Sequence, residues 1–114
     1  MATKSIPSLA ETVTESGLVY SGKCILRGFT LGTDGVNDPA IVIYDGTSAS
    51  GTEVVPTATY DASLLGLNGA TGLHHYCANG IYVGITCAGS VKVTVYYVPF
   101  HYAETLNWPA DGKL

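Results

Sequence analysis

Along SVKVTVYYVP, residues 90–99, the side chains alternate without a break: Val91, Val93, Val95 and Tyr97 point one way, and Lys92, Thr94, Tyr96 and Val98 the other. A period of two belongs to a strand with one buried face and is incompatible with a helix. GIYVGITCAG (80–89) precedes it as a second strand, and Ala88-Gly89-Ser90 between them reads as a tight hairpin. GLVYSG (17–22) and KCILRGFTL (23–31) are further strand candidates. Strict alternation along the latter puts Cys24, Leu26 and Gly28 on one face and Ile25, Arg27 and Phe29 on the other.

AIVIYD (40–45) is a β-branched run suited to a strand covered on both faces. TEVVPTATYD (52–61) contains Pro56, which cannot donate to a ladder, so this strand sits at an edge or breaks there. In ASLLGLNGATGLHHYCANG, Leu64, Leu65 and Leu67 fit either one helical turn or a bent strand. Turn signals recur at short intervals and no long amphipathic period competes with them. That pattern predicts an all-β sandwich or barrel.

One domain is expected from 114 residues, with a central unit at 17–98. Residues 1–16 are polar and aperiodic, which predicts a flexible arm or a strand that forms only against a partner. Residues 99–114 begin at Pro99, where pairing should stop, and form a second, aromatic arm. The five basic residues, Lys4, Lys23, Arg27, Lys92 and Lys113, are scattered, and the net charge is −4. A nucleic-acid partner would call for a basic stripe, so none is expected. No apolar run approaches the roughly 20 residues of a spanning helix, so no membrane partner is expected. The opening MATKSIPSLAETVTESG lacks the apolar core of a signal peptide. Cys24, Cys77 and Cys87 are therefore expected as reduced, buried thiols in a cytoplasm, with a Cys77–Cys87 bridge as the alternative.

The stretch IVIYDGTSASGTEV (41–54) poses the main chemical question. Its only carboxylates are Asp45 and Glu53, too few and too far apart for a calcium loop. It also lacks the lysine and following helix of a phosphate loop. Asp-Gly at a strand end is a turn-former, so the stretch is read as a plain connection. His74, His75 and Cys77 carry zinc-ligand chemistry, but neighbouring strand residues face opposite ways and a structural site needs four ligands. No nucleophile elbow or oriented Cys–His pair is present. No catalytic residue, metal or cofactor is expected. The remote enzyme reading is a small metal-dependent hydrolase using His74, His75 and Asp45.

The aromatic residues at the end of the pattern carry the binding hypothesis. Tyr96, Tyr97, Phe100, Tyr102 and Trp108 lie where regular alternation stops, and an aromatic tail packed on nothing is a liability in solution. The expected partner-binding residues are Tyr96, Phe100, Tyr102 and Trp108, with Ile6 and Leu9 from the first arm.

The order ETVTESGLVYSGKCILRGFTL, AIVIYDGTSASGTEV and GLHHYCANGIYVGITCAGSVKVTVYYVP resembles small structural proteins from the morphogenesis genes of tailed bacteriophages. Their pattern is a strand, Tyr/Trp-Asp-x-Thr-Ala-x-x-Gly-Thr, then Gly-Ile/Leu-Tyr-Val…Gly…Val-x-Val-x-Tyr. Residues 41–54 and 80–97 carry the likeness, which covers roughly 17–98 and neither arm. The resemblance implies a jelly-roll-like antiparallel β-sandwich with extended terminal arms. It implies a capsid cement or decoration protein on the virion exterior, assembled in the host bacterial cytoplasm. The expected partners are the major capsid protein and further copies of itself, as a homo-dimer or homo-trimer. A tail spike, fibre or adaptor contacting a receptor or glycan is the alternative. The pattern includes no catalytic residue.

Overall fold

In a computed structural model of the chain, residues 8–63 and 68–100 are described. They form eight strands: β1 (Leu9–Val13), β2 (Gly17–Ser21), β3 (Cys24–Thr33), β4 (Ala40–Asp45), β5 (Thr52–Thr59), β6 (Asn68–Cys77), β7 (Gly80–Thr86) and β8 (Val91–Pro99). One four-stranded sheet runs β1-β8-β3-β6 and the other β2-β7-β4-β5. Every neighbouring pair is antiparallel. The pairing is nested: β1 with β8, β2 with β7, β3 with β6, and β4 with β5. Two facing four-stranded sheets with that connectivity are a jelly-roll sandwich.

The nesting makes the chain change sheets at nearly every connection, and only β4 to β5 stays within one. The expected hairpin at Ala88-Gly89-Ser90 is therefore not formed. β7 and β8 lie in different sheets, and residues 87–90 cross between them. Alternation identified both strands correctly, but it carries no information about which neighbour each one bonds.

The first arm also differs from expectation. Leu9–Val13 pairs along its length with β8, from Leu9 opposite Tyr97 to Val13 opposite Val93, so this part of 1–16 is a strand on the chain's own sheet. Ser16 ties the crossing into β2 to the second sheet: its hydroxyl donates to the Ile85 carbonyl at 3.2 Å and accepts the Ile85 N–H at 2.8 Å.

The core lies between the sheets. Val91, Val93, Val95 and Tyr97 of β8 face inward, as their period requires. Ile41 and Ile43 of β4 and Ile81 and Val83 of β7 meet them from the other sheet, all fully buried. Each such side chain contributes about 1.5–3 kcal/mol relative to exposure. Val42, on the outer side of β4, is buried as well, so the run at 41–43 is covered on both faces. β5, the strand with Pro56, lies at the sheet edge.

β3 departs from strict alternation. Leu26 pairs with Tyr97 and Gly28 with Tyr96, leaving Arg27 as an extra residue opposite β8. This bulge reverses the parity beyond it, so Phe29 and Leu31 join Cys24 and Leu26 in the core instead of facing out. Phe29 is 0% exposed and meets the Tyr60 ring edge-on at 6.2 Å. Gly28 makes the bulge possible. Its φ is +153°, and a Cβ there would stand 2.6 Å from the Ala70 carbonyl oxygen.

Candidate functional site: turn carboxylates and outer apolar rows

The described aspartates all hold backbone. Asp45 Oδ1 accepts the Asn79 N–H at 2.9 Å and Oδ2 the Ala78 N–H at 3.1 Å, so the end of β4 fastens the β6–β7 turn. Asp34 Oδ1 accepts the N–H groups of Val36 (2.9 Å) and Asn37 (2.8 Å), while Oδ2 takes the Asn37 side-chain amide (2.8 Å) and the Ser90 N–H (3.3 Å). One carboxylate thus organises two connections at that end of the sandwich. Asp38 holds the Ala62 N–H at 2.9 Å, and Asp61 holds the N–H and hydroxyl of Ser63. Hydrogen bonds from Asn37 and Val36 keep the Asp34 carboxyl well below the usual carboxylate range, and Ser63 lowers Asp61 in the same way.

The glycine-rich stretch after Asp45 is the β4–β5 hairpin. Gly46 N–H donates to the Gly80 carbonyl at 3.2 Å and Gly51 N–H to Ser48 at 3.2 Å. Gly51 passes so close that a Cβ there would lie 2.6 Å from the Asp45 carbonyl oxygen. The loop turns the chain and locks its neighbour.

His74 and His75 are adjacent on β6, the outer strand of its sheet, and both are exposed. Among the described residues, no three His, Cys, Asp or Glu side chains come together as a metal site requires. Cys77 lies opposite Cys24, and both are fully buried thiols. The alternative Cys77–Cys87 bridge is excluded here: β7 separates the two residues and spans about 20 Å at strand rise. The Cys87 thiol instead donates to the Asn37 carbonyl at 3.7 Å.

The expected binding residues fall in different places. Leu9 opens β1 and is 41% exposed. Tyr96 is half-buried on the outer face of the first sheet, its hydroxyl 3.3 Å from Thr30 Oγ1. Phe100 hydrogen-bonds through its N–H to the Lys23 carbonyl at 2.9 Å, and its ring lies 5.2 Å from that of Tyr76. Tyr97, grouped with these in the sequence, belongs to the core. It packs on Tyr20 at 5.4 Å, and burial raises its phenol pKa. Ile6, Tyr102 and Trp108 lie outside the described residues.

Register across the sheets aligns side chains that the sequence keeps apart. On the first sheet, Val98, Ile25 and Tyr76 form a row across β8, β3 and β6 that leads to Phe100. Val98 and Ile25 lie outside the inter-sheet core yet are 0% and 6% exposed. Arg27 follows on the same strand; its Nη1 is buried without a hydrogen-bond partner. On the second sheet, Leu18, Tyr82 and Tyr44 stand directly opposite one another across β2, β7 and β4. Leu18 is 47% exposed, and the two tyrosine rings are 6.2 Å apart. The available sequence signal was the continuity of the runs IVIY and IYV, which leaves apolar side chains on both faces.

The geometry defines a class: a jelly-roll sandwich whose carboxylates brace its turns and whose outer faces carry apolar, aromatic rows. No protein-family model, curated protein or solved structure matches the chain.

Proposed function

We propose that the chain is a non-enzymatic virion structural protein, a capsid cement or decoration subunit that binds the outer shell at subunit junctions. The observation that carries this reading is the division of labour among its side chains. All four described aspartates hold turn backbone, whereas Leu18, Tyr82 and Tyr44 form an apolar, aromatic row on the outer face of the second sheet, with Leu18 47% exposed. Such a row serves to bury area against another protein surface.

The partners in this reading are the major capsid protein and further copies of the chain, as a dimer or trimer. Stabilisation follows from mass action: a ligand that binds only the assembled shell stabilises it in proportion to occupancy. Adding the purified protein to undecorated capsids tests the proposal. Co-sedimentation with the shells and a raised shell melting temperature are expected. Free protein left in the supernatant, with melting unchanged, would refute the role.

A tail-associated adaptor or receptor-contacting piece is the second reading, favoured by the Tyr44–Tyr82 pair on the second sheet, since aromatic faces stack on sugars. Label found at the tail in micrographs, with none over the shell, would select it.

A further inference from the structure

The end of the sandwich braced by Asp45 also holds two facing thiols. Cys24 is the first residue of β3 and Cys77 the last of β6, and they stand directly opposite in antiparallel register. Both are 0% exposed and both belong to the inter-sheet core, and the Cys77 thiol donates to the His75 carbonyl at 4.0 Å. Directly opposed residues of antiparallel strands have Cα atoms about 4.5–5.5 Å apart. A disulfide spans roughly 4.4–6.8 Å between Cα atoms, so the backbone already has the separation it needs.

We propose that Cys24 and Cys77 form an oxidisable dithiol that closes into a cross-strand disulfide, stapling the outer strand β6 to β3. The placement gives the bond a mechanical role. β6 is attached on one side only, and its register with β3 is interrupted between Leu26 and Gly28. Beyond that irregularity, Cys24–Cys77, Ile25–Tyr76 and Leu26–His75 are the pairs that hold the strand's end. A covalent link at the terminal pair fixes this end and closes the chain from 24 to 77 into a loop, which restricts the unfolded ensemble.

The oxidant is a low-molecular-weight disulfide. The Cys77 thiolate attacks one of its sulfurs and expels a thiolate, leaving a mixed disulfide on Cys77. The Cys24 thiolate then attacks the Cys77 sulfur and expels the second small thiolate. The two cysteines lose two protons and two electrons, and the small disulfide is reduced to two thiols. Cys77 ends the outer strand β6, whereas Cys24 lies on β3 between β6 and β8, so fraying of the sheet's edge exposes Cys77 first. Burial makes fraying of the edge strand the gate to the reaction. A reducing cytoplasm keeps the pair as thiols while the chain folds, and an oxidising medium closes it.

The test uses the full native chain incubated with glutathione disulfide, followed by alkylation after denaturation, intact-mass measurement and non-reducing peptide mapping. The expected product has lost about 2 Da, the two thiol hydrogens, retains one alkylable thiol, and yields a Cys24–Cys77 linked peptide. Its melting temperature rises by several degrees and returns on reduction. Cys87→Ser should close as the wild type does, whereas Cys24→Ser should stop at a mixed disulfide or free thiols. Three alkylable thiols after prolonged incubation, or a linked peptide containing Cys87, would overturn the proposal. The wild-type map decides the matter even if a core cysteine variant fails to fold.

Discussion

The carboxylate of Asp45, at the end of β4, accepts the backbone N–H of Asn79 at 2.9 Å, in the turn between β6 and β7. Two residues 34 positions apart thereby join strands of both sheets at one end of the sandwich. Asp45→Ala leaves the N–H groups of Ala78 and Asn79 without this acceptor and should lower stability by about 1.5–3 kcal/mol in urea unfolding. Asp45→Asn keeps one acceptor and should lose less. Calcium or a chelator should leave the melting temperature of the wild type unchanged. A calcium-dependent rise would return the loop to the status of an ion site.

The bulge at Arg27 gives a second prediction, about packing. Phe29→Ala should destabilise by about 3–5 kcal/mol, the range for emptying a buried aromatic site. Val36→Ser, at a position 81% exposed, should change stability by less than about 0.5 kcal/mol. Equal effects at the two positions would mean that Phe29 faces outward, as unbroken alternation would place it.

Acid should act through Asp34. Its folded pKa is depressed, so its contribution to stability is complete above the unfolded carboxylate value of about 3.9 and is lost as pH falls through the folded value. The melting-temperature gap between wild type and Asp34→Ala should be widest at neutral pH, narrow below about pH 5 and close in strong acid. A gap of constant size across that titration would show that the four hydrogen bonds to this carboxylate do not depend on its charge.

Outer-face variants separate binding from folding. Leu18→Ser and Tyr82→Ser should leave the melting temperature of the free protein within a few degrees while weakening capsid binding. Arg27→Met removes a buried nitrogen that has no partner, so the free chain should be at least as stable as wild type. Unchanged capsid binding in the Leu18 and Tyr82 variants would move the contact away from the outer face of the second sheet.

The strands at 80–86 and 91–99 were legible because alternation reports directly which side chains share a face, and Pro56, which has no N–H to give, narrowed its strand to an edge or a break, of which the fold takes the edge. Asp45-Gly46 was legible as a turn for the same local reason. Phe29 was not, since one unpaired residue inverts every face beyond it and leaves no trace in composition. The rows Leu18–Tyr82–Tyr44 and Val98–Ile25–Tyr76 were out of reach because each draws its members from three separate strands.

By itself the sequence determined that this chain is predominantly β, where it bends, and which residues are inward on its regular strands. Those properties depend on neighbours within a few bonds. The sequence left the segment around Leu64, Leu65 and Leu67 open between a helical turn and a bent strand, and those three lie outside the described residues. Only the tertiary structure decided that β7 and β8 part into different sheets, that Cys24 and not Cys87 stands beside Cys77, and that residues 9–13 complete a sheet. Strand partnership is chosen by the best joint burial and hydrogen bonding of segments far apart in the chain, and periodicity within any one segment is silent about it.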